Sequence, residues 1–369
     1  MKVKILHINR NYLTSPLHQV MMRHLNDLEI DNYVFAPTDN ASDAIVLPDK
    51  NVYVSECFKK RDRYIFDLKQ KKIIQAVRRT YELSKFDCIH AYTLFTDGNC
   101  AMVLSKKYSI PYIVAVRNTD VNDFFKKIPF MRKRGIEIMK HASAICFLSE
   151  VYRKEIFDKY VPLELHDFLL SKTFIIPNGI DDFWLSNQFI EKKSIHRPLR
   201  LIYAGRVDNN KNIESTLNAM KILEDEGYES RLTVVGKVFD NRLFQRILKN
   251  SNLIYKEAMP KEKLIELYRN NDIFVMPSHT ESFGLVYAEA LSQGLPVIYT
   301  KGQGFDGQFE EGMIGYHVND LDPYDISRKI LTIIKQYEII TDNINGVCEK
   351  FSWDDIAIKY YKIYNTVRR

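Results

Sequence analysis

Short apolar runs separated by longer stretches of helical periodicity recur along nearly the whole chain. This alternation limits the fold more than any other feature. Buried parallel strands read as continuous apolar runs, because helices cover both of their faces. Such runs lie at Lys4–Ile8, Tyr33–Ala36, Cys88–His90, Tyr112–Val116, Ala144–Leu148 and Thr173–Ile176. Helical patterns fill the gaps at His18–Leu28, Phe66–Leu83, Asn99–Tyr108, Lys133–His141 and Glu150–Tyr160. Pro177-Asn178-Gly179 and a polar stretch from Asn187 to Pro198 interrupt the pattern. It then restarts, with strands expected at Arg200–Tyr203, Arg231–Val235, Leu253–Tyr255, Ile273–Met276, Pro296–Tyr299 and Gly315–His317. The matching helices are expected at Asn212–Asp225, Asn241–Asn250, Lys261–Asn270, Leu285–Ser292 and Tyr324–Gln336. Two successive doubly wound α/β domains follow, with ligands at the carboxyl ends of the strands, towards the gap between domains.

At 369 residues the chain exceeds one ordinary core and suits two domains. Its apolar fraction of 46% and charged fraction of 27% are those of a soluble globular protein. No apolar run approaches the length of a membrane span. MKVKILHI reads as an initial buried strand and not as a signal peptide. Five scattered cysteines, with no CxxC pair, argue against a disulfide framework or a zinc site and for a reducing, cytoplasmic compartment. A net charge of +6 alone selects no partner. No motif of a nucleic-acid reader accompanies it, so no nucleic-acid partner is expected. No histidine spacing suggests a metal ligand set, and no Ser-His-Asp order is recognisable.

Two segments carry the chemistry. In RLIYAGRVDNNKNIESTLNAM an apolar strand ends at Gly205, followed by Arg206, Lys211 and a helix that Asn212 is placed to cap. Glycine at a strand end lets a ligand approach the backbone. Arginine supplies a planar fork for phosphate oxygens and lysine a mobile charge. In HTESFGLVYAEALSQGLPVI a buried strand gives way to a loop through Glu281, and a helix starts at Leu285. The free N–H groups and positive dipole end of that helix form an anion site that Gly284 leaves open. Glu289 lies roughly 7–8 Å further along the helix axis. Two carboxylates flanking an anion site suit hydroxyl-rich rings on either side of a diphosphate, as in a nucleotide sugar.

Gly205-Arg206 with Lys211, and Glu281-Ser282-Phe283-Gly284-Leu285 through Glu289 to Gly294-Leu295-Pro296-Val297, resemble the donor site of family 4 glycosyltransferases. The Glu281–Glu289 spacing matches the E-x7-E pattern of that family. Phe174 to Asp181 resembles its "viPNGvD" segment, and Phe351-Ser352-Trp353-Asp354 to Tyr364 its terminal "fsWe…Y" helix. The resemblance implies a GT-B fold: two Rossmann-like doubly wound domains facing a central cleft. It places an acceptor-side domain at 1–185, a nucleotide-sugar domain at 186–350 and a helix crossing back at 351–369. It also implies a retaining, metal-independent enzyme without a cofactor that moves a sugar from a nucleotide-sugar donor, UDP-linked in expectation. The acceptor implied is a glycan or lipid-linked intermediate of bacterial surface polysaccharide. Arg206 and Lys211 would bind the diphosphate with the backbone of Phe283, Gly284 and Leu285. Glu281 would hold the sugar and Glu289 the ribose, while Gly236 and Met259 flank the base. His90 and Asp120, at apparent strand ends of the first domain, join Glu281, Arg206 and Lys211 as catalytic candidates. A nucleotide-sugar epimerase of the same fold and a non-catalytic nucleotide-sugar-binding subunit remain alternatives.

Three segments depart from the family pattern: His7 to Tyr12 in place of a Gly-Gly loop, Arg117-Asn118-Thr119-Asp120 without the usual histidine, and Gly302 to Gly307 in place of "GGxxE". They bear on which sugar and acceptor are used. Phe124 to Lys140, FFKKIPFMRKRGIEIMK, interleaves aromatic and apolar residues with six basic ones against one acid. An anionic membrane surface and a solvated helix face both fit it.

Overall fold

The computed structural model of the chain describes residues 2–43 and 50–368. It divides into two compact units, one running to Gly179 and resuming at Trp353, the other spanning Ile180–Ser352.

The first unit is built on seven strands: β1 (Val3–Ile8), β2 (Ile30–Thr38), β3 (Val52–Glu56), β4 (Cys88–Ala91), β5 (Tyr112–Val116), β6 (Ala144–Phe147) and β7 (Thr173–Ile175). All pair in parallel, in the order β3-β2-β1-β4-β5-β6-β7. Every residue of β4, β5 and β6 is buried, which accounts for their unbroken apolar runs. Each fully buried aliphatic side chain there contributes about 1.5–3 kcal/mol. Sequence periodicity did not mark β3, because this edge strand is only half-buried and its VYVSE run carries too little alternation. The stretch 124–140 is divided: a π-helical turn over Asp120–Phe125, a 3-10 turn over Pro129–Met131, then a helix over Arg132–His141.

The terminal helix Trp353–Val367 belongs to this first unit. Its Trp353, Ile356, Tyr360 and Tyr364 share a core with Met21, Met22 and Leu25 of the helix Pro16–Asn26. Trp353 also explains Gly179, since a Cβ there would lie 2.5 Å from the indole ring.

The second unit repeats the pattern with β8 (Leu199–Ala204), β9 (Ser230–Val235), β10 (Leu253–Lys256), β11 (Ile273–Val275), β12 (Val297–Thr300) and β13 (Gly315–Val318). They form a parallel sheet in the order β10-β9-β8-β11-β12-β13. In both units the strand order reverses at the first strand, and right-handed crossovers then put helices on both faces. The crevice of such a sheet opens where the order reverses, beside the carboxyl ends of β8 and β11 in the second unit.

Candidate active site

The loops leaving β8 and β11 carry the charged motif residues, so the reversal point of the second sheet is where the sequence concentrates its chemistry. At the ends of β8 and β9 the backbones of Gly205 and Gly236 are in close contact. A Cβ on Gly236 would lie 1.7 Å from the Gly205 carbonyl oxygen, so no other residue fits. The Gly205 N–H donates to Val235 O and the Val207 N–H to Lys237 O, which extends the pairing into the loop. Arg206 follows with a 60% exposed guanidinium, 3.3 Å from Asp208 and 5.4 Å above the Phe239 ring. Asn212 occupies the N-cap position of the helix Ile213–Asp225, but its side chain does not cap it. Instead Nδ2 donates to the carbonyls of Pro277 and Asp320, tying the β8 loop to the loops after β11 and β13.

A second tie comes from Asn210. Its Oδ1 accepts from Thr280 N–H and Oγ1–H, its Nδ2 donates to Thr280 O, and its carbonyl accepts from His279 N–H. The third is an ion pair: Lys211 Nζ lies 2.5 Å from Glu281 Oε2, with both side chains only 13% exposed. The two residues expected to bind different parts of a ligand are thus each other's partner in this structure.

Gly284 has φ +75° at the N-cap of the helix Leu285–Ser292. A Cβ there would clash with the Tyr287 ring at 2.3 Å. No side chain caps this helix, and no acid stands in its first turn, so its leading N–H groups and positive dipole end can meet an anion. Phe283 is buried against Phe305 and Phe351, which anchors the loop by its side chain and leaves its backbone for a ligand. Behind the loop, Gln303 Oε1 accepts from the Glu281 N–H and the Gly304 N–H donates to Glu281 O. Gly304 is required as well, since a Cβ would meet Ser282 O at 1.9 Å. Asn210 and Gln303 were not singled out in the sequence; an amide between two charged groups at a loop centre was the signal available.

Glu289 is half-buried, and its carboxyl is pushed up to about 7 by burial and by the charge of Asp181, with Lys261 opposing. Asp181 caps the helix Asp182–Ser186 through the Phe183 N–H and pairs with Lys261 Nζ at 2.6 Å. Beyond the glycine contact, a cleft of about 450 Å³ is lined by Gly236, Lys237, Phe244, Tyr255 and Ala258. Met259 is half-buried next to it in sequence. The second unit thus holds a cleft with an aromatic wall, an uncapped helix start next to Glu281, one exposed guanidinium and the carboxyl of Glu289.

The first unit places its two candidates differently. His90 is fully buried: Nδ1 lies 2.7 Å from the Tyr364 hydroxyl, and its ring stacks on Tyr92 at 4.2 Å. Burial holds its pKa well below the usual value. Asp120 is also buried, and its carboxylate accepts from the N–H groups of Leu94, Phe95 and Arg117. Burial nonetheless pushes it up to about 6, against those three hydrogen bonds. In this position it joins the loops after β4 and β5. In the segments that follow β1, β3, β4 and β5, Asn9, Gln70, Asp97 and Asn122 each have one buried polar atom lacking a hydrogen bond. Among the described residues no group of three or more His, Cys, Asp or Glu side chains is gathered that could hold a metal ion.

Residues 186–345 match the family described as Glycosyl transferases group 1. The capsular polysaccharide biosynthesis glycosyltransferase CapM of Staphylococcus aureus is 31% identical over 205 residues, covering 51% of this chain and 53% of that protein. Among solved structures, sucrose-phosphate synthase from Thermosynechococcus elongatus superposes with a TM-score of 0.75 at 16% identity, covering 99% of this chain and 98% of that one. Anabaena HepE in complex with UDP-glucose gives a TM-score of 0.68 at 16% identity, covering 98% and 99%. The chain has the two-domain GT-B fold of these neighbours, and its segment 186–345 is similar to the group 1 glycosyl transferases.

Proposed function

We propose that this protein is a retaining, metal-independent glycosyltransferase. It moves a hexosyl group from a UDP-linked donor to a hydroxyl of a glycan or lipid-linked acceptor in surface polysaccharide synthesis, at the cytoplasmic side of a membrane. One observation carries the reading: the uncapped helix start at Gly284 stands beside the Lys211–Glu281 pair, with Arg206 exposed on the adjoining loop. The relative named for capsular polysaccharide biosynthesis and the neighbour solved with UDP-glucose support it.

In this reading the base enters the cleft beside Gly236 and Met259, and Glu289 accepts from the ribose hydroxyls. The diphosphate lies on the N–H groups of Phe283, Gly284 and Leu285, between Arg206 and Lys211. As the bond from the anomeric carbon to the β-phosphate oxygen lengthens, charge grows on that phosphate and these groups stabilise it. The acceptor oxygen bonds to the anomeric carbon on the same face, and its proton passes to the leaving phosphate oxygen. Glu281 is held at its backbone by Gln303 and Gly304, its Oε2 accepts from Lys211 and its Oε1 from the Ser282 N–H, and sugar hydroxyls would take further lone pairs of the same carboxylate.

The test is incubation of the purified chain with a panel of nucleotide sugars, with and without glycan and lipid-linked acceptors, followed by NMR of the product. An α-linked glycoside formed from an α-linked donor, and only with acceptor, agrees. Free sugar or an epimer, or tight donor binding with no turnover on any acceptor, counts against it.

A further inference from the structure

The two most exposed large apolar side chains among the described residues, Tyr64 at 91% and Phe130 at 83%, come from segments far apart in sequence. The structure brings those segments together. The Phe66 ring packs edge-on to Phe124 at 6.5 Å, and the Arg134 guanidinium lies 5.1 Å above Phe66 while pairing with Asp67. Tyr64 and Ile65 directly precede this junction, and Phe130 lies one helical turn before Arg134. Ile65 and Leu68, 58% and 39% exposed, extend the apolar surface.

The surrounding charge is one-sided. Residues 59–68 and 123–134 hold nine basic residues against three acidic ones, an excess equal to the +6 of the whole chain. Lys59, Lys60, Arg61, Lys126, Lys127 and Lys133 are exposed. Lys127 pairs with Asp123 at 2.6 Å, an exposed pair that holds its side chain weakly, whereas Lys126 is tied to the buried Asn122 and lies 3.7 Å from Glu155. Both segments follow strands of the first sheet, β3 and β5, and so lie at the carboxyl end of that sheet. The incompletely bonded Gln70 and Asp97 are at that same end.

We propose that this two-segment face of the first unit docks on an anionic lipid surface, with Tyr64, Ile65 and Phe130 entering the headgroup region and the lysines over lipid phosphates. Aromatic side chains ringed by mobile cations have the chemistry of an interfacial anchor. A lipid-linked acceptor would then be met at the ligand end of the first sheet; that clause alone rests on the acceptor reading above.

The test is co-sedimentation of the full chain with phosphatidylcholine vesicles, with and without phosphatidylglycerol. The chain is expected to bind the anionic vesicles, to be released by salt, and to ignore the neutral ones. Replacing Tyr64 and Phe130 by serine, or Lys126, Lys127 and Lys133 by glutamate, should each weaken that partition about tenfold or more. A Lys249→Glu, Lys256→Glu variant of the second unit should bind as the parent does. UDP titration of each variant reports an intact fold and a donor site working separately, so failure of docking and failure of the donor reading are told apart. Negligible binding to both vesicles overturns the proposal. So does binding that survives loss of Tyr64 and Phe130 and is matched by soluble heparin, which marks simple polyanion attraction.

Discussion

Lys211 Nζ and Glu281 Oε2 stand 2.5 Å apart in a setting that leaves either side chain only 13% exposed. A carboxylate in that setting depends on its cation. Replacing Lys211 by methionine should cost about 3 kcal/mol of stability, because an unpaired charge is left behind. Replacing both Lys211 and Glu281 by apolar residues should recover much of it. Urea unfolding of the two single variants and the double variant measures the coupling; strictly additive losses would show that the pair is not a unit.

The two glutamates should fail differently. Glu281→Gln keeps the loop clamped by Gln303 and Gly304, so turnover should fall by about 10² or more with little change in donor affinity. Glu289→Gln should raise KM for the donor about tenfold and affect kcat less. Steady-state kinetics with the donor selected from the nucleotide-sugar panel separates the two, and matching profiles would contradict the assignment.

Glu289 also sets a pH dependence. Its carboxyl titrates at about 7 in the folded chain, against 4.5 as the ordinary value. Between those values the folded chain holds a proton that the unfolded chain lacks. The contribution to stability is therefore complete below about 4.5 and is lost as pH rises through about 7. In the proposed reading nucleotide binding runs the other way: an ionised Glu289 would accept from ribose hydroxyls, so affinity should rise as pH passes about 7. Calorimetric titration across this range should show the rise, and Glu289→Gln should flatten it. Asp181→Asn should move the midpoint down, since it removes a negative neighbour and releases Lys261 from its partner.

Gly236→Ala tests the backbone contact. With the added carbon 1.7 Å from Gly205 O, the ends of β8 and β9 must separate. Thermal unfolding of the second unit should drop, and UDP binding should weaken even at temperatures where the variant stays folded. Unchanged binding would place the nucleotide elsewhere.

Much of this was legible in the sequence, for identifiable reasons. Strands buried on both faces, such as Tyr112–Val116, announce themselves as apolar runs. Gly205 directly follows the last residue of β8 and Gly284 precedes a helix at Leu285, as the apolar run and the helical pattern beside them indicate. Edge strand Val52–Glu56 was hidden because none of its residues is fully buried and Tyr53 and Glu56 are exposed. Pairwise relations were hidden as well. Nothing local to Lys211 says that Glu281 is its partner, 70 positions away, or that Asn210 and Gln303 hold the loops. His90 shows another limit: a histidine after an apolar strand reads either as a cleft residue or as a satisfied structural one, and here Tyr92 stacks on its ring and the Tyr364 hydroxyl meets Nδ1.

The most direct measurement is calorimetry of UDP and UMP against the chain in EDTA, for the parent and for Arg206→Ala. The account predicts that UDP binds without a divalent cation and at least about tenfold more tightly than UMP, because the helix start, Arg206 and Lys211 meet the second phosphate. Arg206→Ala should remove much of that difference. Equal affinities for UDP and UMP, or UDP binding that appears only when a divalent cation is added, would contradict it.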